Sequence, residues 1–201
     1  ILTNADSTVD HFSLAATSGT INMNMNETKD GAANNTVKLY GNVKVFDGVA
    51  NPKEPEKNTV INLGLSTKDS ELHGIVMNSF SEENKKQGFN GQVNMYLSNG
   101  ATWTNEKYGT TAESFTGSEV EKLVGGTDRK NAGYIFQKDS NDLTINNYSG
   151  HTVLFYEHEG NGVSAENYKA GDTVIKKAEA NSNIIVSTGN NDIQMDNTAQ
   201  V

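Results

Sequence analysis

The stretch Val93-Asn94-Met95-Tyr96-Leu97-Ser98-Asn99-Gly100-Ala101-Thr102-Trp103-Thr104-Asn105 decides how the chain is read. Val93, Met95 and Leu97 alternate with Asn94, Tyr96 and Ser98, the period of two of a strand with one buried face. Asn99-Gly100 forms a tight polar corner, and Thr102-Trp103-Thr104 resumes the extended pattern with the only Trp. Asn-Gly between two alternating runs is the ordinary signal of a β-hairpin, which would build a sandwich or barrel. The same construction, however, recurs: Leu65-Ser66 precedes the polar Thr67-Lys68-Asp69-Ser70 about 32 residues earlier. Val186-Ser187 before Gly189-Asn190-Asn191 reads as a third copy. Recurrence of one strand-and-corner unit favours a parallel β-helix, in which each coil of short strands stacks on the next.

Outward from this stretch the chain is strands and corners. Ile21, Met23 and Met25 alternate, as do Ile61, Leu63 and Leu65, and further strands are expected at 36–41, 43–46, 72–77, 134–137, 143–148, 152–158, 172–178 and 183–188. Three polar or charged segments read as inserts between coils: 47–57, which holds both prolines, 79–91 and 106–130. Within the last, Ser118 and Glu121 have capping-box spacing ahead of Val120, Leu123 and Val124, and Gly125-Gly126 closes the run. That pattern predicts one short helix.

Composition agrees with an all-β chain. Hydrophobic residues make up 34% and charged residues 20%, while 27 Asn, 19 Thr, 15 Ser and 19 Gly supply the polarity. Residues of these types belong at turns, and the β-branched residues between them belong in strands. Cys is absent, which excludes disulfides and thiolate metal sites. A net charge of -9 and a single Arg, Arg129, argue against nucleic acid and anionic lipid as partners. No apolar run is long enough to insert into a membrane. The missing initiator Met is read as the mark of a segment excised from a longer protein.

At Leu97-Ser98-Asn99-Gly100-Ala101-Thr102-Trp103-Thr104 the chain resembles the passenger domains of Gram-negative autotransporter adhesins, whose coils carry an apolar residue, a polar Asn-Gly or Gly-Ser corner, and then small residues and Trp. Residues 143–155 and 172–188 look like the Asn/Thr-rich coils of such passengers, and the Cys-free acidic composition is similar. The resemblance implies a right-handed parallel β-helix on the bacterial cell surface, tethered to the outer membrane through a C-terminal barrel. It implies adhesion to a host-cell, matrix or bacterial surface protein or glycan, or self-association in biofilm.

No reaction is legible. Tyr156-Glu157-His158-Glu159 places Tyr156 and His158 on one face of a strand and the carboxylates on the other, so they do not converge. Asp139-Ser140-Asn141-Asp142 and Asn190-Asn191-Asp192 offer oxygens that suit Ca²⁺, but read better as corners that hydrogen-bond their own backbone. No metal or cofactor is expected. A β-helical polysaccharide lyase or hydrolase is the alternative, and a structural stalk is a third; the hydrolase lacks an identifiable pair of facing carboxylates. Trp103 is expected to pack inside. Tyr96, opposite the apolar stripe, is expected to be exposed, and with Glu82, Lys85 and Lys86 of the charged insert it forms the candidate partner-binding set.

Overall fold

The computed structural model describes residues 11–46, 58–78, 83, 86, 90–109, 117–137, 141–156, 172–187 and 197–200. Apart from one 3-10 turn, Arg129–Asn131, the named elements are strands. They fall into three sheets, and the chain visits the sheets in rotation. The first round is β1 (Phe12–Ala16), β2 (Thr20–Met23) and β3 (Lys38–Tyr40); the second is β4 (Asn42–Val45), β5 (Asn58–Leu65) and β6 (Glu71–His73). The third is β7 (Val76–Met77), β8 (Asn90–Leu97) and β9 (Thr102–Asn105). Later rounds place only two named strands each: β10 (Gly117–Val124) and β11 (Gly133–Gln137), β12 (Asp142–Ser149) and β13 (His151–Tyr156), then β14 (Thr173–Ile175) and β15 (Asn183–Ser187). The sheet orders are β1-β4-β7, β14-β12-β10-β8-β5-β2 and β16-β15-β13-β11-β9-β6-β3. Every strand pair is parallel except the last, where β16 (Asn197–Gln200) lies antiparallel to β15.

Parallel pairing in register turns sequence alternation into rows. Met23, Leu63, Met95, Leu123 and Tyr148 stand side by side across the six-stranded sheet. Leu39, Leu72, Trp103, Ile135 and Leu154 do so across the seven-stranded one. These rows face one another in one continuous hydrophobic core. Trp103 is fully buried and its Nε1 donates to Gly74 O at 2.9 Å, the packing role expected of it. Gly74 must be Gly at that spot, because a Cβ there would stand 2.3 Å from Gly41 O.

Leu97-Ser98-Asn99-Gly100 joins strands of different sheets, so it is a corner and not a hairpin turn. Asn99 and Gly100 have φ of 54° and 79°. That left-handed geometry is cheap only for such residues. The corner is stacked between neighbours: Ser98 N donates to Leu65 O, Asn99 Nδ2 to Ser66 O, and Asn99 N to Asn131 O. Leu65 and Leu97 pair in register, as their repeated motif implied. Val186-Ser187 does not belong to the series. It lies in β15 of the seven-stranded sheet, beside Leu154 and Phe155.

The short helix expected within 106–130 does not form. Gly117–Val124 is β10, an interior strand of the six-stranded sheet, so this segment as a whole is not an excursion from the fold. Val120 and Leu123 imitate helical spacing because two outward residues, Glu121 and Lys122, follow each other between them. Asn146-Asn147 in β12 repeats that step beside it. The Ser118 hydroxyl, expected as a cap, is buried; it accepts the Val76 N–H at 2.9 Å and donates to Asn105 Oδ1. Residues 47–57 lie outside the described set, as do 79–82 and 87–89.

Candidate functional site

Outward-facing residues of the seven-stranded sheet form the densest chemistry among the described residues. Register sets Lys38, Glu71, Thr102, Tyr134 and Val153 in one row, and Tyr40, His73, Thr104, Phe136 and Phe155 in the next. At the charged end, Tyr40 OH donates to Glu71 and Lys38 Nζ lies 3.3 Å from Glu71 Oε1. The Tyr40 hydrogen bond, then Lys38, holds the Glu71 carboxyl below its ordinary range, and Glu71 in turn raises Tyr40 and Lys38. A general acid needs the opposite shift. His73 Nε2 is 2.7 Å from Glu106 Oε2, and Tyr108 stands edge-on to both His73 (5.4 Å) and His11 (6.1 Å). Asn42, fully buried, positions Tyr108 by donating to its carbonyl at 3.1 Å and accepting from its N–H at 3.0 Å.

At the other end the face is aromatic. Phe136 and Phe155 stack at 5.0 Å with planes 11° apart, and Tyr134 approaches Phe155 at 6.0 Å. All three are half-buried. Between the two ends, β9 contributes only Thr102 and Thr104. The arrangement can hold a ligand between hydrogen-bonding groups and aromatic surface. It brings no metal ligands together: among the described residues no group of three or more His, Asp or Glu could hold an ion. No described helix is long and apolar enough to cross a membrane.

The six-stranded sheet presents a different face. Asn62 Nδ2 donates to Asn22 Oδ1 and Asn94 Nδ2 to Asn62 Oδ1, both at 2.9 Å, a side-chain ladder across three strands. Beyond it, Asn146 Nδ2 bonds Glu119 and Glu121, and Asn147 Nδ2 bonds Glu121. These groups largely satisfy one another.

Of the expected partner-binding residues, Glu82 and Lys85 lie outside the described set and Lys86 is exposed. Tyr96 is not exposed: it keeps 8% of its surface, with Lys122 Nζ 5.6 Å from its ring centre. Residues 24–35 fold over Gly64 in the adjacent strand, where Asn24 Nδ2 donates to Gly64 O and Ala32 packs close. Tyr156 OH donates to Thr173 Oγ1 at 2.8 Å, while 157–159 are outside the described residues. Of the Asx-rich corners, Asp142 Oδ1 accepts the Asp172 N–H at 2.8 Å; Asp139, Ser140, Asn190, Asn191 and Asp192 are outside. Glu71, His73 and Glu106 were not singled out from sequence, since only stacking brings them together. Compared with known proteins, the chain matches no family model, no curated protein and no solved structure.

Proposed function

We propose that the chain is a right-handed parallel β-helix segment of a non-catalytic bacterial surface adhesin, exported by the autotransporter route. Its partner is a host-cell, matrix or bacterial surface protein or glycan, or a second copy. The observation that carries this reading is the rotation of the chain through three parallel sheets, with rows continued from strand to strand. A stack of that kind gives a stiff, extended surface on which each round adds another set of outward side chains. Parallel crossovers are right-handed in nearly all known cases, which supports the hand. Chemistry concentrated on an outer sheet face, with Glu71 held as an anion, suits recognition better than proton transfer.

The test is adhesion of the labelled chain to epithelial cells, immobilised matrix proteins and bacteria, with and without residues 79–89. That deletion leaves β8 whole, whereas removing 106–130 would take out β10. Saturable binding that falls about tenfold in the deletion, with unchanged circular dichroism, is the expected outcome and places the contact on the charged insert. Undiminished binding moves the contact to the sheet faces. No binding of the intact chain to any surface contradicts adhesion and leaves the stalk.

A further inference from the structure

We infer that the Thr102–Thr104 strip is the floor of a glycan slot, built for a short, neutral, β-linked oligosaccharide. The inference rests on the adhesive reading and adds to it a second contact, on the sheet face and apart from the charged insert, with a ligand class of its own. Small Thr side chains on β9 lie between two taller rows, Glu71 and His73 on β6 and Tyr134 and Phe136 on β11. Those flanking strands are two ladder steps apart, about 9–10 Å, which leaves a channel the width of a pyranose ring along β9. Rings that are parallel at 5.0 Å must overlap by their faces, so Phe155 covers one face of Phe136. Register sets Thr104 beside Phe136 on the side away from Phe155. Tyr134 closes the start of the strip, its Cε2 3.9 Å from where a Cβ on the corner residue Gly100 would stand.

One wall is therefore apolar and flat, and the other is hydrogen-bonding. A pyranose has the matching chemistry: C–H groups on one face for the rings, and hydroxyls at its edge for the carboxylates, His73 and the two Thr. Glu106, and Glu71 even with Lys38 beside it, on a chain of net charge -9, disfavour uronic and sulfated sugars, which favours neutral ones. A straight strip suits an extended β-1,4 ribbon rather than a coiled α-glucan.

The experiment titrates the full chain with cellohexaose, N-acetylchitohexaose and a heparin hexasaccharide, by calorimetry near neutral pH. Saturable binding of at least one neutral oligomer is expected, at a Kd of about 1 mM or tighter. Thr104→Phe fills the slot and Phe136→Ala removes its wall, and each should weaken that binding about tenfold or more. Thr144→Phe, on the outer face of the six-stranded sheet, should not. Circular dichroism checks each fold; Phe favours strands, so Thr104→Phe keeps the test open should Phe136→Ala unfold. No neutral binding, binding indifferent to both slot variants, or preference for heparin overturns the slot. Adhesion that persists in the insert assay would then stand without it, whereas glycan binding without adhesion would overturn only the adhesive role.

Discussion

Tyr148 carries a hydroxyl into the core, donating to Asn183 O at 2.8 Å and pairing with Thr152 Oγ1 at 2.9 Å. Burial pushes that hydroxyl from an ordinary 10.0 up to about 12. The unfolded chain therefore loses this proton near pH 10 while the folded chain keeps it. Stability from this group is complete below pH 10 and is lost as pH rises toward 12, by about 3 kcal/mol. Urea midpoints measured from pH 9 to 12 should fall more steeply for the native chain than for Tyr148→Phe, which itself costs about 1–2 kcal/mol at neutral pH. Equal slopes would contradict the assignment. Residue environments were legible in sequence where they depended on alternation alone. Trp103 lies between the outward Thr102 and Thr104 on a strand, and it is buried as its place in the pattern implies. Tyr96 sits on the outward side of its strand by the same logic. Lys122 stands over its ring, and its in-register neighbour Gly64 is bonded by Asn24 of a distant loop, neither of which a local pattern reveals.

Among the elements, β10 shows where periodicity misleads. A step of two outward residues converts a strand's spacing into a helix's, and only the neighbouring strand discloses it. Asn105 ties β9 to the elements around it: Nδ2 donates to Gln137 Oε1 at 2.8 Å on β11, and Oδ1 accepts from Ser118 on β10. Gln137 Nε2 passes the chain on to Asn141 O. Asn105, Ser118 and Gln137 are all buried, so removing one leaves its partners with unsatisfied groups in the core. Asn105→Ala should cost about 2–4 kcal/mol in urea unfolding. The double variant with Ser118→Ala should cost less than the two single losses together, because the second change removes a group already stranded. Additive losses would mean the three side chains do not act as one network.

For the molecule as a whole, the adhesive reading and the glycan slot both depend on distant residues lying side by side. The offsets explain why the architecture was only partly legible. Thr36 meets Thr67 across 31 residues, Asn94 meets Asn62 across 32, and Asn105 meets Gln137 across 32. Those steps left the repeated Leu-Ser corner visible in the sequence. Asn62 meets Asn22 across 40 residues, however, and Asn146 meets Glu121 across 25, so no single period runs through the chain. The rows across the face of the seven-stranded sheet keep nearly even steps, 33, 31 and 32 residues from Lys38 to Glu71, Thr102 and Tyr134, but the outward residues at those steps share no type, so no motif marked them.

The most direct measurement is a disulfide across that stacking. Asn62 and Asn94 pair in register on an outward row, and adjacent strands stand about 4.8 Å apart, within the reach of a disulfide. The chain has no Cys of its own to compete. Asn62→Cys combined with Asn94→Cys should oxidise in the folded state to an intramolecular bond, seen as faster mobility on a non-reducing gel with circular dichroism unchanged. A folded chain whose two thiols stay free under oxidation would contradict the parallel stack and the surface argued from it.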